Sequence, residues 1–227
     1  MKRIRLLTAV GKAASRSRSF NLWDNFKALA LICILLASAS LANAQLTVTA
    51  SGLPNIGRGQ IKFADFNNDG KLDALVVGQT TAYNVGTGTT FKLYTGNGDG
   101  TFTDATSSWF TTAPTGVACG TVAIADYDRD GDLDFCYSGW VSATNVITKL
   151  YRNTGGAFED YTTTAFNSVT PAGAFFGEDR WVDIDKDGDL DLIIFGRSSG
   201  ASMLLSFPTN TNTRGGVFKI YVNNGSG

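Results

Sequence analysis

The sequence predicts an all-β protein, a partial β-propeller of about three four-stranded antiparallel blades. Three observations carry this. One acidic stretch recurs at intervals of about 60 residues: DFNNDGKLD at 65–73, DYDRDGDLD at 126–134 and DIDKDGDLD at 183–191. Each lies between short runs rich in Val, Ile, Phe and Tyr and bounded by Gly, Asn, Asp and Thr, which are strand signals. After residue 44, no stretch keeps a helical period over about ten residues. A period of this length with four strands per unit reads as a propeller blade.

Residues 1–44 stand apart. MKRIRLLTAVGKAASRSRSF is basic, the apolar run ALALICILLASASLA follows at 28–42, and Ala42-Asn43-Ala44 precedes Gln45. A basic start, an apolar middle and a small-x-small site are the parts of a secretory signal peptide. Cleavage is expected after Ala44, because the apolar run is shorter than the roughly 20 residues a spanning helix needs. The chain from Gln45 onward keeps 12 Lys/Arg against 19 Asp/Glu. It has no basic patch, so nucleic acid is not an expected partner, and no later segment is apolar enough to span a membrane.

The repeats then align element by element. A glycine and five residues come before each acidic loop: GQIKFA (59–64), GTVAIA (120–125) and GEDRWV (177–182). An apolar run ending in glycine follows it: ALVVG (74–78), FCYSG (135–139) and LIIFG (192–196). Next comes a Lys-aliphatic-Tyr strand: FKLYTG (91–96), TKLYRN (148–153) and FKIYVN (218–223). Two blocks continue into Phe-x-Asp, at TFTDAT (101–106) and AFEDYT (157–162). Blades are therefore expected at about 54–110, 111–167 and 168–227, with the acidic loop joining the first two strands of each. Three blades are too few for a ring, and the third lacks its Phe-x-Asp strand. The chain is expected to be the N-terminal part of a longer propeller, with strand 46–53 as a possible latch on the last blade.

The acidic loops hold thirteen of the 20 acidic residues. An Asp-Gly hairpin turn explains Gly70, Gly131 and Gly188. It does not explain acids at loop positions 1, 3, 5 and 9, which repel one another without a counter-charge. Paired-carboxylate catalysis fits poorly with three copies at a fixed period. A hard cation fits better, since calcium takes six to eight oxygen ligands and alternate residues of a tight loop can turn toward one centre. The expected ligands are Asp65, Asn67, Asp69, the Lys71 carbonyl and Asp73 in the first loop; Asp126, Asp128, Asp130, the Asp132 carbonyl and Asp134 in the second; and Asp183, Asp185, Asp187, the Asp189 carbonyl and Asp191 in the third. Asn67 brings an oxygen without a charge, so the first site is expected to be the weakest. A helix-loop-helix calcium site would need Glu at position 12, where Val76, Tyr137 and Ile194 stand. Transition metals would call for His or Cys, and the chain has no histidine. The same absence removes Ser-His-Asp and Cys-His nucleophile systems.

Cys33 lies in the N-terminal segment. Cys119 and Cys136 flank the second loop, but a hairpin centred near Asp130 sets Cys136 opposite residues 122–124, which disfavours a disulfide. Trp109, Trp140 and Trp181 fall out of phase with the repeat and are expected to fill core. Glu178, Asp179 and Arg180 form a compact charged cluster outside the loops, expected to be a solvated strand start.

The pattern D-x-[DN]-x-D-G-x-L-D, followed by runs such as LDLIIFG, resembles FG-GAP/VCBS repeats, the calcium-binding blades of integrin-alpha-type propellers. KLYRNTGGAFEDYT and SGLPNIGRGQIKFADFNNDGKLD are similar to secreted bacterial versions. The resemblance covers about residues 46–227; Phe-Gly-Gly-Ala-Pro itself is only hinted at by PAGAFFG (171–177). It implies three calcium ions and a secreted or cell-surface module that binds an extracellular glycan or protein. No enzyme activity is expected. The alternatives are a polysaccharide-acting enzyme on the propeller scaffold and a passive spacer in a larger surface protein.

Overall fold

The computed structural model describes residues 50–80, 88–142, 144–198 and 215–225. The segment 1–44 read as a signal peptide, and residues 45–49 of the expected latch strand, lie outside them. The described chain is all-β apart from two one-turn helices, Thr106–Trp109 and Thr162–Ala165. It forms three antiparallel sheets. The first holds β1 (Gly57–Ala64), β2 (Asp73–Gln79), β3 (Thr89–Gly96) and β4 (Phe102–Asp104). The second holds β5 (Ala118–Ala125), β6 (Asp134–Ser142), β7 (Asn145–Asn153) and β8 (Phe158–Asp160). The third holds β9 (Phe175–Val182), β10 (Asp191–Arg197) and β11 (Gly216–Tyr221). Each is a meander in chain order, as the repeat predicts, and the third has no fourth strand among the described residues.

The sheets stack side by side through their first strands, β1 against β5 and β5 against β9. This is the relation of neighbouring propeller blades, and the described sheets do not close into a ring. The stacking explains the composition of the second strands. Residues of β2 are buried throughout, and those of β6 nearly so. A strand covered on both faces reads as a continuous apolar run rather than an alternating one.

The recurring glycine before each loop has a local cause. Arg58, Cys119 and Phe176 adopt left-handed φ of 50°, 52° and 52°, and each strand pairing shifts register there or directly across from it. The following residue is Gly59, Gly120 or Gly177. A Cβ there would collide with the facing strand, against the Val77, Ser138 or Phe195 carbonyl. The first strand therefore bulges at the same point in every repeat, and only glycine fits the close approach.

The two largest core clusters lie between the sheets. The first is aromatic: Phe66, Phe91, Trp109, Phe110, Phe135, Tyr137, Tyr151 and Phe158. Phe158 of β8 is its keystone, 4.8 Å from Phe135 and 5.4 Å from both Phe66 and Phe110, ring centre to ring centre. The second, between the second and third sheets, is smaller: Tyr127, Cys136, Leu150, Leu192 and Ile194, with Trp181 stacked on Tyr127 at 5.4 Å. Trp109 and Trp140 are buried, as core filling requires.

Cys136 pairs with Ala123 in the β5–β6 register, and both Cys119 and Cys136 are free and buried. Burial pushes the Cys119 thiol up to about 11, which keeps it protonated and unreactive near neutral pH. The end of the 46–53 segment is tied to the first sheet, where the Ser51 carbonyl accepts from the Phe102 N–H at 2.8 Å.

Candidate metal sites in the acidic turns

The three acidic stretches form the same turn between the first two strands of each sheet, and the turn is built by its own side chains. The position-5 carboxylate accepts from the position-7 N–H at 2.9 Å in every copy: Asp69 from Lys71, Asp130 from Asp132, Asp187 from Asp189. The position-1 carboxylate accepts from the position-6 glycine N–H: Asp65 from Gly70, Asp126 from Gly131, Asp183 from Gly188. The position-3 side chain accepts from the position-5 N–H: Asn67 from Asp69, Asp128 from Asp130, Asp185 from Asp187. These Asx-type turns fold the loop onto itself. Two residues per loop take left-handed φ, the glycine at position 6 and the residue at position 4 (Asn68 at 57°, Arg129 at 62°, Lys186 at 65°). The strain at position 4 carries no glycine and was not legible in the sequence.

Position 9 does something the sequence did not reveal. Asp73, Asp134 and Asp191 are buried at the first residue of β2, β6 and β10, at 1%, 0% and 0% exposure. Each carboxylate spans two backbone donors. Asp134 accepts from Tyr127 N–H at 3.1 Å and Asn153 N–H at 2.8 Å. Asp73 accepts from Phe66 and Gly96, and Asp191 from Ile184 and Asn223. The side chain thus ties the loop's second residue to the end of the third strand. Burial pushes the carboxyl of Asp134 up to about 7, against the pull of those two N–H groups, and raises that of Asp73 as well.

The loops differ in what is left unpaired. Carboxylate oxygens of Asp126, Asp128 and Asp130 lie within 4.8 Å of one another, as do those of Asp183, Asp185 and Asp191. In both clusters the position-1 oxygen that does not hold the glycine, Oδ1 of Asp126 and of Asp183, is buried without a hydrogen-bond partner. A buried carboxylate oxygen facing two other carboxylates is unfavourable unless a cation completes it. In the first loop the equivalent oxygen of Asp65 accepts from Asp69 N–H at 3.1 Å, and Lys71 Nζ lies 3.6 Å from Asp69. That loop neutralises part of its own charge. The second and third loops fit a hard, oxygen-loving cation, and the first fits it less well.

Neighbouring loops also touch. Asn68 Nδ2 donates to Asp132 at 2.8 Å, so position 4 of the first loop reaches position 7 of the second. Arg129, at position 4 of the second loop, pairs with Asp189 at position 7 of the third and donates to the Gly188 carbonyl. Lys186 holds the same position in the third loop.

The charged cluster at 178–180 corrects the expectation of a solvated strand start. Glu178 and Arg180 pair with each other at 2.8 Å on the surface, but Asp179 is 3% exposed. It points between the second and third sheets, where the Ser138 hydroxyl donates to its carboxylate at 2.7 Å.

A stack of antiparallel sheets, of four, four and three described strands, with an acidic cation-type turn at the same corner of each defines an all-β repeat protein of propeller type. Residues 65–137, from the first loop into β6, match the family model of the FG-GAP-like repeat. The chain is also similar to cartilage acidic protein 1 of Homo sapiens, 30% identical over 115 residues, which is 49% of this chain and 17% of that protein. The same protein of Xenopus tropicalis is 31% identical over 106 residues, 44% of this chain and 15% of its own length. The chain thus spans about a sixth of the length of these curated relatives. The third loop lies beyond the matched repeat, yet its hydrogen bonds are those of the other two. Among the described residues no helix is long and apolar enough to cross a membrane.

Proposed function

We propose that the chain is a calcium-binding propeller module exported from the cell, one that recognises an extracellular glycan or protein and is not an enzyme. The observation that carries the calcium reading is the pair of unpartnered, buried oxygens on Asp126 and Asp183, each inside a carboxylate cluster. Asp126, Asp128, Asp130 and Asp134 would hold one ion, and Asp183, Asp185, Asp187 and Asp191 a second. Asp65, Asn67, Asp69 and Asp73 would hold a third more weakly. The 7-position carbonyls of Lys71, Asp132 and Asp189 would add a ligand each. A bound ion neutralises the clustered charge and fixes the first hairpin of each blade. It takes no part in bond-making here.

Export is supported by the N-terminal sequence and by the free-calcium level outside cells, which is millimolar and suits loops with Kd near 10⁻⁴–10⁻³ M. The recognition role rests on the FG-GAP-like repeat, a family of binding blades, and so on analogy of fold. A site with Kd near 10⁻⁴ M adds about 2 kcal/mol of stability at millimolar calcium. Two such sites raise the melting midpoint by on the order of 10 °C in a chain of this size. Melting the protein with about 2 mM calcium and with excess EDTA reads this directly, and an unchanged midpoint would overturn the calcium reading. Binding to immobilised glycans and matrix proteins, compared with and without calcium, tests recognition. Turnover of a polysaccharide would instead favour an enzyme.

A further inference from the structure

Arg129 stands in the middle of the second acidic loop, yet among the described residues it pairs with none of that loop's aspartates. Its guanidinium crosses to the third loop, where it pairs with the Asp189 carboxylate and donates to the Gly188 carbonyl. The Asp189 side chain is 17% exposed there and that of Arg129 57%. A largely covered carboxylate beside the Asp183, Asp185 and Asp191 cluster calls for a counter-charge, and the second loop supplies it.

The contact falls on the segment that aims the third loop's expected ligands. The peptide unit joining Gly188 to Asp189 is held at both ends. Its carbonyl accepts from Arg129, and its N–H donates to the Asp187 carboxylate at 2.9 Å. One residue earlier, Gly188 N–H donates to Asp183 Oδ2 at 3.1 Å, while Asp183 Oδ1 stays buried without a partner. Arg129 therefore grips the backbone on which the position-1 and position-5 carboxylates are hung. The first and second loops are joined more thinly, by the single neutral bond from Asn68 to Asp132.

We propose that Arg129 is a positioning residue of the third cation site, supplied by the second loop, and that filling the second site strengthens the third. The proposal rests on the calcium reading of the loops. An ion bound by Asp128 and Asp130 fixes the residues on either side of Arg129, and so fixes the arginine where the third loop is held. Groups that orient metal ligands set affinity without touching the metal. By linkage, an ion in the third site strengthens the second by the same factor. Repulsion between two bound cations acts in the opposite direction, so the sign of the coupling separates the two effects.

The test is calcium titration of the full chain by calorimetry, in about 0.15 M salt to screen exposed charges. Asp126→Ala empties the second site and leaves the third; Asp128→Asn is the milder change in the same loop should Asp126→Ala not fold. The third site is expected to be about five-fold weaker in these chains than in the parent. Arg129→Ala should remove that difference, leaving the third site equally weak whether or not the second can fill. Asp189→Ala, which keeps the expected carbonyl ligand, should do the same, and the double variant should lose no more than the worse single one. In Asp183→Ala, where the second site is left, Arg129→Ala should shift affinity by less than about two-fold. A third site of equal affinity with and without the second would overturn the proposal and leave the calcium reading standing. So would an Arg129→Ala loss confined to the second site. A parent chain that binds no calcium would overturn both.

Discussion

Asn153 donates its side-chain amide to the Phe66 carbonyl at 2.9 Å, across 87 residues of chain. The same amide reaches the Leu133 carbonyl at 3.3 Å, and its side chain is fully buried. Asn223 repeats the arrangement one sheet later, donating to the carbonyls of Tyr127 and Leu190. The asparagine at the end of a third strand therefore fastens its own loop to the loop of the sheet before it. At the corresponding place the first sheet has Gly96, which offers only its backbone N–H, to Asp73.

Removing that fastening should cost more than one ordinary hydrogen bond. Asn153→Ala takes the side-chain donor from the buried Phe66 carbonyl and from the part-buried Leu133 carbonyl, and a buried group left unsatisfied costs about 1–3 kcal/mol. Urea unfolding of the variant should show a midpoint lowered by an equivalent of about 2 kcal/mol or more. Asn153→Asp should be worse at neutral pH, because it sets a carboxylate against carbonyl oxygens. A variant as stable as the parent would mean that the two sheets are held by their aromatic core alone.

The loops should separate by affinity. Calorimetric titration of the metal-free protein with calcium is expected to resolve two stronger sites and one weaker, with the weaker lost in Asp65→Ala. Asp126→Ala and Asp183→Ala should each remove one of the stronger sites. Asn67→Asp should strengthen the first site, since it supplies the carboxylate present at Asp128 and Asp185. Three equal sites, or a stronger site lost on changing Asp65, would contradict the pairing seen in the loops.

The link between Arg129 and Asp189 is more than half exposed on the arginine side, so it should contribute little. Arg129→Ala is expected to lower stability by less than about 1 kcal/mol in dilute buffer, and by nothing measurable at about 1 M salt, where exposed pairs are screened. A salt-insensitive loss would point instead to the backbone, because Arg129 sits at a left-handed φ.

Much of this architecture was legible because the repeat is written in side chains that obey local rules. Strand order and the loop positions followed from aligning GQIKFA, GTVAIA and GEDRWV with what comes after them. The β5–β6 register opposite Cys136 followed from counting outward from Asp130. What sequence alone did not disclose depends on contacts between repeats. Nothing in DYDRDGDLD says that Asp134 is fully buried and accepts from two backbone N–H groups. Nor does Asn153 announce a partner 87 residues away. Asp179 misled for a related reason: between Glu178 and Arg180 it resembles a surface charge, but strand alternation turns it inward while both neighbours turn out.

That inward turn gives Asp179 a pH signature of its own. Burial between the second and third sheets pushes its carboxyl up to about 7, with the Ser138 hydroxyl offsetting only part of the cost. The unfolded chain releases this proton near the ordinary aspartate value of about 3.9. Between these values the folded state holds the proton and the unfolded state does not, so stability falls as pH rises through that window. The contribution is fully present below about pH 4 and is lost by about pH 7 to 8. Asp179→Asn keeps a side chain that can accept from Ser138 and removes the titration. In EDTA the variant should therefore gain on the parent as pH rises from about 4 to 8, by a few kcal/mol in all. Melting midpoints of the two proteins across that range read the difference, and the other carboxylates, common to both, largely cancel. Parallel curves would show that Asp179 is ionised in the folded protein, held by donors other than Ser138, and that the junction between the second and third sheets tolerates a buried charge.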